Sequence, residues 1–320
     1  MTLAYQASGA GAPRRARKAI STAGRCAILA AAALVVSNHA VFAAPPTMTR
    51  PEAATGSNDS DATSSRAARD EAVRLIPWKQ MSPANRSQAQ SIINDASIYR
   101  RLPTRIIDCD PDLFTFLLQH PEVVIDVWHV MGISQVALNK SPDGLYRGTD
   151  GAGTNGTVRY LFSNWGPSAQ NTAVVFAEGA YTGPPFITPL RAQTIMLVRS
   201  SAIQETNGRH YVTVHIDSFV RVEQLGVEIV AKTVQPWINK SADQNVIETL
   251  TFVSNFSRTA ERNPQGMQRL ANRLNAVDEP TRGQLISLCF RTAERYSQRD
   301  TSTRTGAVAA MPPNVAMIEP

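Results

Sequence analysis

The stretch 210-HYVTVHIDSFVRV-222 decides the fold class, because apolar and polar residues alternate along it. The apolar face carries Val212, Val214, Ile216, Val220 and Val222. The other face carries Tyr211, Thr213, His215, Asp217 and Arg221. Side chains two positions apart lie on the same face of a strand, so this pattern predicts one buried face and one wetter face. Gly208 and Gly226 mark turns on either side of it.

Further β segments surround this strand along the chain. Stretches rich in Val, Ile, Thr, Tyr and Phe predict strands at 157–163, 172–181, 186–199 and 227–233. Two weaker β segments precede them, at 133–140 and 145–149. The run DGAGTNG at 150–156 lacks both a phosphate-loop ending and the carboxylates of a calcium loop, so it predicts a hairpin. Strands joined by such short turns pair antiparallel.

Helices flank the strand region on both sides. Ser82-Pro83 predicts a helix start, with the helix continuing to about Tyr99, and Asp110-Pro111 and Pro121 open a helix pair at 110–131. A strand at 104–109 lies before this pair. After the strands, Asp243 caps a long helix to about Arg262, and more helix follows, with a last helix from Thr281. The apolar stripe of the long helix is Val246, Ile247, Leu250, Val253, Phe256 and Ala260.

These elements together predict an α+β fold. Six or seven strands form a curved antiparallel sheet that grips the long C-terminal helix, with extra helices at both ends. The order of elements over 104–277 resembles the START-like, or helix-grip, superfamily, which includes polyketide cyclase-like and lipid-transfer proteins. The resemblance implies an apolar ligand held between the sheet and the helix. It rests on element order alone and assigns no site residue.

The N-terminus has the pattern of an export signal. A basic stretch, RRARK at 14–18, precedes an apolar run from Ala27 to Val36 that is too short to span a bilayer. Small residues follow, and we expect cleavage after Ala43, so that residues 1–43 are a signal peptide. We expect a disordered linker at 44–70, a single folded domain at 71–297 and a disordered tail at 298–320. The mature chain would be secreted or periplasmic, with no transmembrane segment.

The charge argues against a nucleic-acid partner. The chain has 32 Lys and Arg against 26 Asp and Glu, but five of the basic residues lie in 1–43, which leaves 27 basic against 26 acidic. A nearly neutral mature protein has no general attraction for phosphate backbones. Four arginines lie along the C-terminal helices: Arg258, Arg262, Arg269 and Arg273. They could contact anionic headgroups or a nucleic acid, but the sequence favours a solvated helix face.

Candidate site residues are few. His215 and Asp217 share a strand face and could act as a base and its orienting carboxylate, but a solvent-facing pair is the favoured interpretation. Cys109 and Cys289 either form a disulfide or are two buried thiols. No spacing of His and Cys predicts a metal site, and no motif predicts a cofactor. The aromatic residues that could line a ligand cavity are Trp128, Phe176, Phe186 and Trp237.

Three functions remain open from the sequence. The first is an exported, non-enzymatic binding protein for a lipid or another small hydrophobic ligand. The second is an envelope or surface interaction module with a filled core. The third is a cyclase- or hydrolase-type enzyme that uses His215 and Asp217. A cavity of about 300 Å³ or more separates the first from the second. The direction in which His215 points tests the third.

Overall fold

An antiparallel sheet of eight strands forms the centre of the computed structural model, which describes residues 62–183, 188–223 and 235–309. The α+β class and the antiparallel sheet are as the sequence predicts, and the sheet is open. The strands are β1 (Ile98–Arg101), β2 (Arg105–Asp108), β3 (Ala137–Lys140), β4 (Tyr146–Thr149), β5 (Thr154–Trp165), β6 (Asn171–Tyr181), β7 (Leu190–Gln204) and β8 (His210–Val222).

Strand β8 pairs with three other strands of the sheet, β1, β2 and β7. The strand order is β1-β8-β7-β6-β5-β4-β3, and β2 also pairs with β8. Strands β1 and β2 lie one after the other along the same edge of β8, beside residues 217–220 and 211–214. Pro103 separates the two strands, which fits its lack of a backbone N–H for the sheet ladder.

Helices cover both faces of this sheet. Within the described residues they are α1 (Arg66–Leu75), α2 (Pro83–Asn94), α3 (Pro111–Gln119), α4 (Pro121–Val130), α5 (Gln235–Arg262), α6 (Pro264–Ala271) and α7 (Glu279–Ala309). The predicted caps are present: the Ser82 side chain accepts from the Asn85 N–H, and the Asp110 side chain accepts from the N–H groups of Asp112 and Leu113. None of the helices in these ranges is long and apolar enough to cross a membrane.

The inner face of the sheet packs against α3, α4 and α5. Val246, Leu250 and Val253 from the predicted stripe of α5 join one apolar cluster with residues of the sheet. The sheet contributes Ala173, Val175, Ala177, Met196, Val198, Val212, Val214 and Ile216 to this cluster, and each is at most 5% exposed. The long helix therefore shares one apolar core with the inner face of the sheet, as the sequence predicts.

The outer face of the sheet carries a second apolar cluster, but along β8 it is wetter than the inner face, as predicted, except at the buried Asp217 and Phe219. Helices α1 and α2 place Ala72, Ile92 and Ile93 against a second apolar cluster. The sheet side of this cluster is Leu161, Val174, Phe176, Ile195, Leu197 and Phe219. Alternation along β8 did not reveal this second cluster, because most of its sheet residues belong to β6 and β7.

Several element boundaries differ from the prediction. Helix α2 ends at Asn94, and Tyr99 lies in β1, because the edge of β8 offers Ile98 and Tyr99 backbone partners. Helix α5 begins at Gln235, and Asp243 pairs with Arg100 (Nε–Oδ1 3.1 Å) instead of capping the helix. Helix α1 begins before residue 71, and α7 continues past residue 297.

Other expectations fall on residues that the structure does not describe. These are the signal peptide at 1–43, most of the linker at 44–70, the strand at 227–233 and the end of the tail at 310–320.

The covered outer face gives a test on α1. Ala72 on α1 is fully buried, whereas Ala67 on the same helix is exposed. We expect Ala72→Glu to lower the free energy of unfolding by about 3 kcal/mol, because it forces a carboxylate into an apolar cluster. Ala67→Glu should change it by about 0.5 kcal/mol or less. Urea denaturation measures both, and equal effects of the two variants would mean that α1 does not pack on the sheet.

Candidate functional site

An apolar groove runs along the flank of α5, with a volume of about 540 Å³. Its described walls come from the end of α4 with the loop that follows, from α5 and from α6. The apolar residues that line it are Trp128, Met131, Ile133, Ile247, Phe252, Phe256, Met267 and Leu270. Its polar lining residues are Ser134, Asn245, Glu248, Thr249, Thr251, Asn255 and Thr259. A mostly apolar concavity with a few polar groups has the character of a small-molecule site.

Three aromatic rings form the floor of the groove. The ring centroids of Trp128 and Phe252 are 5.5 Å apart and the rings meet edge to face, while Phe252 and Phe256 are 5.9 Å apart. Trp128 and Phe256 are buried, and Phe252 is half-buried between them. Such ring pairs prefer tilted contacts at these distances. The floor is therefore held by packing within the protein and does not need a ligand to order it.

Local sequence fixes the walls. Helix α4 ends at Val130, and Gly132 follows with a φ of 70°, the left-handed conformation that glycine favours. The Ile133 N–H donates to the Trp128 carbonyl at 2.8 Å. This turn carries Met131 and Ile133 into the rim. Across the groove, the Asp126 carboxylate on α4 accepts from the Ala276 N–H at 2.7 Å, which ties α4 to the chain after α6.

Of the four aromatic residues predicted to line a cavity, Trp128 lines this groove. Phe176 lies on the outer face of the sheet in contact with the Arg159 guanidinium, whose central carbon is 5.5 Å from the ring centroid. Trp128 and Phe176 therefore do not share a cavity. Phe186 lies outside the described residues, as does the side chain of Trp237.

Sequence reasoning missed Met131, Phe252 and Met267 as lining residues. Phe252 lies outside the apolar stripe that the sequence predicts for α5, so the pattern does not indicate it as a core residue. Together with Ile247 it widens the apolar surface of the helix to a second face. An amphipathic helix with more apolar surface than one stripe is the signal that could have located the groove.

His215 and Asp217 face the same side of β8, as their spacing predicts, but they bond different partners. Asp217 is fully buried and accepts from the Tyr99 hydroxyl at 2.7 Å and from Arg101 Nε at 2.8 Å. His215 Nδ1 lies 3.1 Å from the Thr104 hydroxyl. The expected solvent-facing pair is thus wrong for Asp217, because α1 and β1 cover it.

The electrostatics around Asp217 fit a structural role. Burial and the hydrogen bond to Asp217 raise the pKa of Tyr99. Burial disfavours the charge on Arg101, but its hydrogen bonds to Asp217 and Glu71 outweigh this and raise its pKa. Burial and the nearby Arg199 lower the pKa of His215, so its imidazole is neutral at neutral pH. Arg101 also bridges to Glu71 on α1 at 2.8 Å, so the network fastens α1 to the sheet.

A second concavity, of about 630 Å³, is polar and its charges are paired. Arg209 bonds Asp108 and lies 3.5 Å from Glu261, and Arg299 lies 3.8 Å from Glu261. Burial raises the pKa of Glu261 in spite of these guanidinium groups. Opposite charges from β2, the turn before β8, α5 and α7 therefore neutralise one another here, which favours a structural role for this cleft.

Both cysteines of the folded region are buried free thiols, Cys109 after β2 and Cys289 on α7. Burial raises the pKa of Cys109, and nearby carboxylates raise it further. Burial also raises the pKa of Cys289, to about 12. Thiols with raised pKa values are poor nucleophiles. The structure therefore has the two thiols in their unbridged form, with no activated nucleophile at either position.

Metal-binding geometry is absent from the described part of the chain, where no three His, Cys, Asp or Glu side chains come together. In the 150–156 run, the Asp150 carboxylate accepts from the N–H groups of Ala152 and Thr154, at 2.8 Å each. The loop joins β4 to β5, as the predicted hairpin requires.

The buried Asp217 network gives a test with a matched control. Asp217→Asn should lower the free energy of unfolding by about 3 kcal/mol, because Arg101 and Tyr99 lose a buried carboxylate. Asp95→Asn removes an exposed partner of Arg221 (N–O 3.2 Å) and should cost less than about 1 kcal/mol. Urea unfolding of both variants measures the difference. A cost for Asp217→Asn no greater than that of the control would contradict the network.

Comparison with known proteins adds no identity to this geometry. No family model matches the chain, and no curated protein is significantly similar to it. The fold class therefore rests on the sheet topology, and the candidate site rests on the groove.

Proposed function

We propose that this protein binds a small hydrophobic molecule in the groove along α5 and carries out no chemistry on it. The observation that supports the proposal is the groove itself: about 540 Å³ of mostly apolar space with a preformed aromatic floor. Pockets for small ligands usually have about 300–1,000 Å³ and a mostly apolar lining. Apolar ligands bind such surfaces because both lose contact with water.

The proposed location of the ligand differs from that implied by a helix-grip relationship. We propose this relationship from the order of elements and the covered antiparallel sheet. A helix-grip ligand would lie between sheet and helix, where the inner-face residues from Val175 to Ile216 share one buried apolar cluster with Val246, Leu250 and Val253 of α5. This shared core favours a ligand on the outer flank of α5. It equally suits the alternative of an interaction module, in which the groove would receive no small molecule.

Export is part of the proposal. It is supported by the order of a basic stretch, an apolar run and small residues within 1–43, which lie outside the described residues. Mass spectrometry of the protein purified from the cell envelope or medium should give a chain that begins at Ala44. An intact chain that begins at Met1 in the cytoplasm would overturn export without affecting ligand binding.

The groove is tested with a matched pair of exposed apolar residues. Met131 lies in the groove and is 55% exposed, whereas Ile203 lies at the end of β7 and is 60% exposed. In a fluorescence titration with the uncharged probe N-phenyl-1-naphthylamine, Met131→Asp should weaken binding about tenfold, because it puts a charge against the apolar probe. Ile203→Asp should leave the affinity within about twofold.

Two results would overturn the proposed function. One is the absence of saturable probe binding by the wild-type protein. The other is an equal loss of affinity in Met131→Asp and Ile203→Asp, since this would place the probe elsewhere. Both positions are exposed, so loss of folding is not expected in either variant, and circular dichroism of each checks this.

A further inference from the structure

We infer that the ligand of the groove is a hydrophobic amine, whose protonated nitrogen lies beside the carboxylate of Glu248. This inference rests on the proposed function and adds the chemical class of the ligand. It depends on the charge that lines the groove and on the side chains that share a helix face with that charge.

The described lining of the groove carries one negative charge, on Glu248 of α5, and no positive charge. The Glu248 side chain is exposed, and its Oε1 accepts a hydrogen bond from Nε2 of Gln244 at 2.6 Å. The Gln244 amide is neutral. The ion pairs between described residues do not include Glu248. Within this part of the chain, its charge is therefore not neutralised by an ion pair.

An aromatic ring lies on the same face of α5 as this carboxylate. Phe252 follows Glu248 by four residues, and side chains at this spacing are neighbours on a helix, with Cβ atoms about 5–6 Å apart. The Phe252 ring meets Trp128 edge to face, and both residues line the groove. Aromatic rings attract cations over their faces. A protonated nitrogen can therefore bind the carboxylate while the apolar part of the same ligand lies on the aromatic floor.

An amine suits this lining better than an uncharged or an anionic ligand. A molecule bound in the groove displaces water from the side of Glu248, and a charge that loses water without gaining a partner costs free energy. A protonated amine offsets this cost with a charge-assisted hydrogen bond. An uncharged ligand gives Glu248 no opposite charge, and an anion is repelled by it.

The arginines nearby do not change the sign of the charge in the lining. Those of α5, of α6 and of the chain just after α6 lie outside the lining: Arg258, Arg262, Arg269 and Arg273. Nη2 of Arg273 lies 3.5 Å from the Val130 carbonyl, at the end of α4. Salt screens the action of exposed charges that lie farther from a ligand. The other polar lining residues are uncharged, so Glu248 decides the preferred charge of the ligand.

The experiment compares three ligands that share a phenylalkyl group and differ in charge. The competitors 4-phenylbutan-1-amine, 4-phenylbutan-1-ol and 4-phenylbutanoate displace N-phenyl-1-naphthylamine from the wild-type protein at neutral pH and low salt. We expect the amine to bind about fivefold more tightly than the alcohol, as one partly exposed ion pair allows. The carboxylate should bind most weakly. Added salt should reduce the preference for the amine.

Variants of Glu248 locate the charge. In Glu248→Gln the ratio of amine to alcohol affinities should fall from about five to near one, while the affinity for the alcohol stays within about twofold. Glu248→Asp should keep part of the ratio, because it keeps the charge. The matched control is Glu205→Gln in the turn before β8, since Glu205 is also exposed and its Oε2 accepts from the Asn207 amide at 3.3 Å. This control should keep the full ratio.

The outcomes separate this inference from the proposed function. Equal affinities for the amine and the alcohol, or a tighter carboxylate, would overturn the amine while the groove remains a binding site. A ratio that Glu248→Gln does not lower, or that Glu205→Gln lowers equally, would overturn it as well. Failure of the wild-type protein to bind the uncharged probe would overturn the proposed function itself.

Discussion

The structure depends on covering both faces of one antiparallel sheet. A sheet with apolar residues on both faces is stable only when each face is buried, and here α5 packs on one face and α1 with α2 on the other. Val246, Leu250, Val253 and Ala260 of the α5 stripe belong to the buried inner core. Ile247, Phe252 and Phe256 line the groove, and the last two also contact that core.

Polar interactions fasten the outer layer to the sheet. Asp217 sits at the centre of β8, where Tyr99 and Arg101 from β1 reach it, and Arg101 continues to Glu71 on α1. A fully buried carboxylate requires such partners, because its desolvation is costly. The same residue that the sequence offered as a catalytic candidate therefore serves the assembly of three elements. Both of its hydrogen bonds go to Oδ1, and Oδ2 lies 3.8 Å from Nη2 of Arg199.

How far the sequence predicts the structure depends on how local each signal is. The alternation in 210–222 gives β8 with its observed bounds, and Ser82 and Asp110 with their following prolines give two helix starts. Strand β1 was missed because Ile98 and Tyr99 become a strand only through pairing with β8. The burial of Asp217 has the same origin, since helices distant in sequence cover it.

The groove was predicted only in part for a related reason. Trp128 and Phe176 are both large aromatic residues, so both are candidates to line a cavity. Sequence alone does not tell which side of the sheet each one faces. Facing depends on strand register and on which helix covers which side. Met131 and Met267 line one groove only because the fold brings the end of α4 and α6 to the same side of α5.

The most direct test of the account is a methyl-detected NMR titration with dodecan-1-ol. The account predicts that chemical shifts change for Met131, Ile133, Met267 and Leu270 in the groove, while the methyl signals of Val212, Val214 and Ile216 beneath α5 stay constant. Shift changes concentrated in those three sheet residues would place the ligand between the sheet and the helix and contradict the account.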